Sequence, residues 1–306
     1  MEIHELNIVT GSFGYTGKYI TKKLLAMGKR VKTLTGHPDR PNPFDNQVSV
    51  APFQFDNLAG LTKSMAGAST LYNTYWIRFP FKQATFDKAV QNTRTLIKAA
   101  QEAGITKIAH ISITNASEKS PFPYFRGKGI IEKFIEQSSL SYAIIRPTVL
   151  FGHEDILINN ITWFLRYFPV FAVMGTGDYE LQPVFVEDVA AIAVHAAQQK
   201  ESVILDAVGP ETYTFDELIR FIAGKIRSKA RIIHLRPRLA YFFSLLLGYA
   251  VNDVVLTRDE VDGLMEGLLV SKASPTGETA LSRWLDENVS SVGKRYVSEL
   301  NRHYRS

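Results

Sequence analysis

The chain has 306 residues, of which 45% are hydrophobic and 21% charged, a balance typical of a globular α/β domain with room for a smaller lobe. It contains no cysteine, which excludes disulfide bonds, thiolate metal sites and a cysteine nucleophile. The formal net charge of +5 suits an anionic ligand. No basic stripe with interleaved aromatic residues is present, so the sequence does not indicate nucleic-acid binding.

Two features of the sequence indicate in which cellular compartment the protein lies. The N-terminus has neither the basic start nor the apolar core of a signal peptide. The longest apolar run, residues 239–251, is too short to cross a bilayer as a helix. We therefore expect a cytoplasmic protein, and membrane association remains open.

Strand and helix patterns alternate along the first two thirds of the chain. The strand segments are continuous and apolar, which is typical of strands covered on both faces. This alternation predicts an α/β fold with a doubly wound parallel sheet of the Rossmann type. Strands are predicted at residues 7–10, 30–35, 47–51, 69–74, 107–112, 141–146 and 203–207. Helices are predicted at residues 15–27, 58–66, 81–103, 125–137, 156–168 and 187–199.

The alternation becomes irregular after residue 151, and most later segments have helical patterns, at 215–227, 239–249, 259–268 and 281–304. We predict a dinucleotide-binding Rossmann domain over residues 1–150, to which 184–208 returns. A smaller, mostly helical C-terminal lobe of 151–183 and 209–306 would fold over the carboxyl ends of the strands, where such sheets bind ligands.

Residues 236–251 combine two arginines with a helix rich in leucine and aromatic residues. Such a segment is typical of a helix that docks on a membrane surface or on a protein partner. A buried helix of the second lobe with a basic start is the interpretation we favour.

A glycine-rich turn lies between the first predicted strand and the first predicted helix. Gly11 permits a tight turn, Gly14 lets the backbone approach phosphate oxygens, and Gly17 lets the helix pack close to the strand. A turn of this kind in this place predicts a site for the pyrophosphate of a dinucleotide. The residues of the turn are Thr10, Gly11, Ser12, Phe13, Gly14, Tyr15, Thr16 and Gly17.

The end of the second predicted strand bears on the choice of cofactor. An acidic residue there suits the free ribose of NAD, whereas an arginine suits the 2′-phosphate of NADP. The strand is followed by Gly36 and His37 with no acid, and Arg40 lies close behind. This favours NADP, with NAD as the alternative, and Arg40 as a solvated loop charge is the competing interpretation. Asp56, after the third strand, is predicted to cap the next helix or to reach the adenine.

Three residues form a candidate catalytic set. Tyr124 and Lys128 are four residues apart, so they lie on the same face of the helix after the fifth strand. A nearby ammonium group is needed to lower the pKa of a phenol, so that it can transfer a proton near neutral pH. Ser112 ends the fifth strand, and its hydroxyl could polarise the same substrate oxygen. The competing interpretation is an aromatic packing residue beside a surface lysine.

At these motifs the chain resembles the short-chain dehydrogenases/reductases of the extended or atypical branch, the NAD-dependent epimerase/dehydratase type. Within that branch it is similar to the subgroup related to the NADPH-binding accessory subunit of respiratory complex I. The resemblance covers roughly residues 5–200. The matching segments are residues 10–17, 72–79, 89–93, 110–114, 124–128, 146–155 and 182–190.

The resemblance implies a role for each matching residue. Gly11, Gly14 and Gly17 would hold the pyrophosphate, and Ser112, Tyr124 and Lys128 would be the catalytic triad, in which Lys128 also anchors the ribose. The residues expected to line the rest of the cofactor are Asn73, Thr74 and Tyr75, with Pro147 and Thr148 beside the nicotinamide carboxamide.

The sequence departs from the enzymes of this branch at two places. Bulky Thr74, Tyr75 and Trp76 stand where an alanine–glycine pair is usual, and Ala89 stands where asparagine is frequent. Two functions therefore remain open. The first is an NADP-dependent reductase or epimerase/dehydratase-like enzyme that acts on a small organic substrate without a metal. The second is a non-catalytic NADPH-binding structural or assembly partner of a membrane respiratory complex.

Overall fold

The computed structural model describes residues 5–304. Contacts within the chain divide it into two compact units. The first unit contains the residues up to Pro147 together with Val189–Asp206. The second unit contains Thr148–Asp188 and the residues from Ala207 onward.

The strands of the described chain follow closely the segments predicted from the sequence, with additional short strands after residue 148. They are β1 (Leu6–Thr10), β2 (Arg30–Thr35), β3 (Val48–Pro52), β4 (Ala68–Asn73), β5 (Lys107–Ile111), β6 (Ser141–Pro147), β7 (Val149–Phe151), β8 (Val170–Met174), β9 (Glu180–Leu181), β10 (Pro183–Phe185), β11 (Val203–Ala207), β12 (Tyr213–Thr214) and β13 (Arg231–Leu235).

One sheet of seven strands forms the centre of the first unit, in the order β11-β6-β5-β4-β1-β2-β3. The pairings from β6 to β3 are all parallel. The chain builds β2 and β3 on one side of β1 and then crosses to build β4, β5 and β6 on the other. The carboxyl ends of β1 and β4 therefore flank the point where strand order reverses, which is where open α/β sheets bind ligands. The predicted doubly wound Rossmann sheet is confirmed.

The core of this unit forms because its central strands are apolar on both faces. Ile8, Leu34, Leu71, Ile108 and Ile144 lie on five neighbouring strands, and all are fully buried. Every residue of β5 is buried. A strand covered by helices on both sides is buried along its whole length, so most of its residues are apolar.

The helices pack on these strands in the first unit and make up most of the regular structure of the second. They are α1 (Tyr15–Ala26), α2 (Leu58–Met65), α3 (Phe86–Glu102), α4 (Pro123–Glu136), α5 (Leu157–Tyr167), α6 (Val186–Gln198), α7 (Phe215–Lys225), α8 (Pro237–Val251), α9 (Arg258–Met265), α10 (Leu281–Asn288) and α11 (Glu299–His303).

Two predicted helices differ from the structure. The helix predicted from residue 81 begins at Phe86, because Phe81 and Ala84 pair their backbones in a turn and Thr85 then caps α3 by accepting from Lys88 N at 3.1 Å. The helix predicted over 281–304 is two short helices, α10 and α11. Gly293 lies between them with a φ of +66°, a conformation that interrupts an α-helix.

The second unit has a largely helical core with short two-stranded sheets. The sheets pair β7 with β10, β8 with β13 and β9 with β12. Phe151, Leu165, Leu181, Leu218 and Leu285 belong to its hydrophobic core. No helix within residues 5–304 is long and apolar enough to cross a membrane.

The favoured interpretation of residues 236–251 as a buried helix is wrong. Helix α8 forms there, but Leu239, Phe242, Phe243, Leu245 and Leu246 are each about half exposed. The residues that α8 buries are Ala240, Ser244 and Gly248, which are small.

Candidate functional site

The glycine turn has the backbone geometry that its sequence predicts. Gly11 has a φ of +67°, in the region that favours glycine, and its N–H donates to Leu34 O at 2.8 Å. Gly14 N donates back to Gly11 O at 2.8 Å and closes the turn. A Cβ at Gly17 would lie 2.2 Å from Gly11 O, so only glycine lets α1 pack this close to the end of β1.

The N-terminus of α1 is suited to an anion. Within the described residues, no side chain caps this end, and the first turn of the helix carries no acidic residue. Strand β2 holds the turn in place, because Ser12 N donates to Thr33 Oγ1 at 3.0 Å and Thr33 Oγ1 donates to Val9 O at 3.0 Å. The buried Ser12 Oγ has no hydrogen-bond partner in the described part of the chain. These residues fit a pyrophosphate group.

Hydrogen bonds fasten the end of β4 to the end of β1. Thr10 Oγ1 accepts from Thr74 N at 2.7 Å and from Tyr75 N at 3.0 Å. Thr74 Oγ1 donates to Thr10 O at 2.5 Å, and Asn73 Oδ1 accepts from Tyr75 N at 3.1 Å. The structure therefore brings the predicted cofactor residues Thr10, Asn73, Thr74 and Tyr75 together beside Gly11.

His110 extends this network to β5. Asn73 Nδ2 lies 3.0 Å from His110 Nδ1, and because Asn73 Oδ1 already accepts from Tyr75 N, the amide donates to the imidazole. Burial lowers the pKa of His110 well below its usual value, and the nearby Lys128 charge lowers the pKa further. The imidazole is therefore neutral. His110 is packed, in agreement with its position in a strand, and it supports Asn73.

The residues after β2 lie in a partly exposed loop. Gly36 is exposed, and His37 and Arg40 are half-buried. His37 N donates to Thr35 Oγ1 at 3.1 Å, and Arg40 N donates to His37 O at 3.3 Å, which orders the loop.

An aromatic cluster follows β3 and β4. Tyr75 packs against Phe53 and Phe55 at centroid distances of 5.2 and 5.1 Å, and its hydroxyl accepts from Asn92 Nδ2 at 2.8 Å. The predicted capping role of Asp56 is wrong, because Asn57 caps α2 by accepting from Gly60 N at 2.9 Å. The Asp56 side chain is 99% exposed and lies 4.0 Å from Lys88 Nζ.

Trp76 connects the two candidate residues of α4. Helix α4 begins at Pro123, so Tyr124 lies in its first turn and Lys128 lies one turn later. The Trp76 ring meets the Tyr124 ring edge-on at 6.1 Å, and Lys128 Nζ lies 4.7 Å from the indole centroid. A Cβ at Gly127 would lie 2.9 Å from the indole, so glycine at this position lets the ring lie against the helix.

Lys128 is a buried cation. It is 3% exposed, and its Nζ donates to Ile111 O at 2.7 Å. Burial lowers the pKa of Lys128 to about 7, and the Glu132 carboxylate opposes part of that shift.

Ser112 is engaged by Glu132, a residue that the sequence analysis missed. Ser112 Oγ donates to the buried Glu132 carboxylate, which also accepts from Arg146 Nε at 3.0 Å. The hydroxyl can donate one hydrogen bond, and in this geometry it donates that bond to Glu132. The missed signal is spacing: Glu132 follows Lys128 by four residues and therefore shares its helical face.

The last two predicted cofactor residues lie at the end of β6. Pro147 O accepts from Thr114 N at 2.9 Å in the first unit. Thr148 begins the second unit, where its N–H donates to Ala207 O at 3.2 Å and its hydroxyl donates to Gln182 O. Phe13, Tyr15 and Thr16 lie in the glycine turn and the first turn of α1.

Comparison with known proteins shows what this chain is similar to. Residues 11–159 match the family described as NAD(P)H-binding. The mitochondrial NADH dehydrogenase [ubiquinone] 1 alpha subcomplex subunit 9 of Arabidopsis thaliana is 26% identical over 282 residues, which are 86% of this chain and 70% of that protein.

Two solved structures share the fold. The triphenylmethane reductase of Citrobacter sp., complexed with NADP(H), has a TM-score of 0.75 at 18% identity, over 92% of this chain and 99% of that one. A nucleoside-diphosphate-sugar epimerase of Staphylococcus aureus has a TM-score of 0.74 at 15% identity, with the same two coverages. The NAD(P)H-binding match, the Rossmann fold and the complex I relative together confirm the resemblance to the extended or atypical short-chain dehydrogenases/reductases and, within them, to the subgroup of the complex I accessory subunit.

Proposed function

We propose that the first unit binds NADPH. The observation that carries this proposal is the glycine turn, whose tight geometry leaves the N-terminus of α1 suited to a pyrophosphate. His37 and Arg40 would favour the 2′-phosphate of NADP, since Asp39 is the one acidic residue between β2 and Arg40. NAD is the alternative cofactor. Asn73, Thr74 and Tyr75 would line the nucleotide beside the turn, and the exposed Asp56 would reach the adenine.

We further propose that the protein is an oxidoreductase of the short-chain dehydrogenase type. The bound cofactor would supply hydride chemistry for the reduction of a carbon that bears oxygen. Tyr124 would deliver the proton to that oxygen, and the Lys128 ammonium on the same helical face would lower the pKa of the phenol. To orient the substrate oxygen, the Ser112 hydroxyl would have to donate its hydrogen bond to that oxygen instead of to Glu132. The Trp76 and Phe86 rings, which both contact Tyr124, favour a small organic substrate.

A second function has its own support. Lys128 is buried beneath Trp76, and the Ser112 hydroxyl donates its hydrogen bond to Glu132. Neither side chain is therefore placed to bind a substrate. The Arabidopsis relative is by name a subunit of a mitochondrial NADH dehydrogenase [ubiquinone]. In this alternative the protein binds NADPH without turning it over and serves as a structural or assembly partner of a membrane complex.

Replacement of Tyr124 separates the two functions. NADPH consumption is followed over a panel of small carbonyl substrates for the wild type and for Tyr124→Phe. The enzyme proposal predicts that the variant loses at least about 100-fold in turnover, because general acid catalysis contributes that much, while NADPH affinity stays within about twofold.

Tyr142→Phe is the matched control, because Tyr142 lies near the amino end of β6, opposite to the strand end that carries the predicted cofactor residue Pro147, and it should retain wild-type turnover. Full activity of Tyr124→Phe would refute the mechanism. Tight NADPH binding with no consumption of any substrate by the wild type would favour the structural alternative.

A further inference from the structure

Helix α8 presents a continuous row of large apolar side chains to solvent. Five of them are between 48% and 55% exposed, and Tyr249, near the C-terminal end of the helix, is 91% exposed. The row consists of Leu239, Phe242, Phe243, Leu245, Leu246 and Tyr249. Contiguous apolar surface of this kind marks an interaction site in a soluble domain.

The burial pattern of α8 is the reverse of that in an ordinary surface helix. A helix that faces water turns its large apolar residues inward and its polar residues outward. Helix α8 instead buries Ala240, Ser244 and Gly248. Gly248 lets the chain turn back closely at the end of the helix, where Asp253 N donates to Gly248 O at 2.9 Å and a Cβ at Gly248 would lie 2.7 Å from Asp253 O. The Asp253 carboxylate in turn accepts from Glu299 N and Leu300 N, so this end of α8 is fastened with its small residues inward and its large apolar residues outward.

The sequence around this face is cationic. Residues 229–252 contain Lys229, Arg231, Arg236 and Arg238 and no acidic residue. All four cations are exposed. The next acid along the chain, Asp253, is buried and accepts from Glu299 N at 2.9 Å, and the next exposed acids lie on α9 rather than on α8.

We propose that α8 lies flat in the headgroup region of an anionic phospholipid bilayer. The apolar row would enter the acyl boundary, and the four cations would attract the lipid phosphates. Fifteen residues give a helix about 22 Å long, shorter than the hydrocarbon core, which suits a helix in the plane of the membrane. Association of two copies through this face is disfavoured because it would bring the two sets of cations together.

Vesicle flotation tests the proposal with the full chain. One set of vesicles is pure phosphatidylcholine, and the other is an equimolar mixture of phosphatidylcholine and phosphatidylglycerol. The wild type should bind the anionic vesicles at least about tenfold more tightly than the neutral ones, and added salt should weaken this binding.

Two variants separate the apolar part of vesicle binding from the electrostatic part. Phe242→Gln/Phe243→Gln/Leu246→Gln should weaken binding to anionic vesicles at least about tenfold, because the apolar contact is lost. Arg236→Gln/Arg238→Gln should lower the affinity for anionic vesicles to near that for neutral ones. Ile204→Gln/Leu205→Gln, which removes exposed apolar side chains of β11 in the first unit, is the matched control and should bind as the wild type does.

Light scattering without lipid tests whether a second copy of the chain, rather than a membrane, covers this face of α8. The proposal expects a monomer whose mass is the same for the wild type and the triple glutamine variant. Vesicle binding that none of the α8 substitutions changes would overturn the proposal. A dimer that the triple variant dissociates would also overturn it, because the face would then join two copies of the chain. Matching thermal unfolding of the variants and the wild type ensures that lost binding is not lost folding.

Discussion

Lys128 illustrates how burial changes the chemistry of a single residue. It resides in a helix beside Tyr124, but the Trp76 ring covers its ammonium group and its hydrogen bond goes to Ile111 O. Removal of a cation from water disfavours the charged form, and this lowers the pKa of Lys128 to about 7. Near neutral pH the side chain is therefore divided between its charged and neutral forms.

This pKa predicts a specific dependence of stability on pH. The unfolded chain holds the Lys128 proton up to its ordinary value of 10.5, whereas the folded chain releases it near 7. Between these limits the unfolded state binds more protons, so the free energy of unfolding should rise with pH, by about 2 kcal/mol from pH 7 to pH 9. Lys128→Met should lack this rise in urea unfolding at the two pH values.

The exposed Lys98 of α3 provides the control for this measurement. Lys98→Met should keep the rise, because an exposed ammonium group is not desolvated. An equal rise in wild type and Lys128→Met would contradict a depressed pKa at Lys128.

At the residue scale, short motifs were predictable and cross-strand partners were not. The spacing of Tyr124 and Lys128 depends only on helical periodicity, and the glycine turn depends only on local backbone geometry. The bond from Ser112 to Glu132 joins a strand end to a helix 20 residues later and is set by packing. Burial of Lys128 depends in the same way on Trp76, a residue that the sequence marks only as bulky.

At the element scale, the start of α2 shows how one position changes the role of a residue. Asp56 and Asn57 are both suitable N-caps by type. The structure gives the cap to Asn57, whose Oδ1 accepts from Gly60 N, and leaves the Asp56 carboxylate in solvent. Sequence patterns fix helix ends only to within a few residues, so they could not choose between the two.

This assignment predicts different effects of two neighbouring substitutions. Asn57→Ala should lower the free energy of unfolding by about 1 kcal/mol, because it removes the capping hydrogen bond. Asp56→Ala should leave stability unchanged, since its weak ion pair with Lys88 is exposed. Urea unfolding of the two variants measures the difference, and a larger loss for Asp56→Ala would mean that the cap has been assigned to the wrong residue.

Helix α8 shows a second limit of sequence patterns at this scale. Its apolar composition predicts a helix, but nearly every position is apolar, so no single face is marked as the inner one. The turn after the helix is fastened to α11 because the Asp253 carboxylate accepts from Glu299 N and Leu300 N, and this holds the small-residue face inward. Periodicity finds such a helix but cannot orient it.

At the scale of the whole molecule, strand order assembles the candidate site. Thr10, Asn73 and His110 are far apart in the chain, but β1, β4 and β5 are neighbours and bring them into one hydrogen-bond network. The sequence predicted the doubly wound parallel sheet, because alternating strands and helices allow few parallel topologies, but it did not predict this hydrogen-bond network. The second unit was less predictable, since its short strands and short helices lack a repeating pattern.

A fluorescence titration of the whole protein with NADPH and NADH tests whether the first unit binds the nucleotide. We expect saturable binding of NADPH at least about tenfold tighter than that of NADH. Arg40→Ala should weaken NADPH binding by about tenfold through loss of a charge-assisted bond to phosphate, and it should leave NADH binding unchanged. Arg283→Ala, an exposed arginine of α10, is the control. Absence of saturable binding of either nucleotide would show that the glycine turn does not form a dinucleotide site.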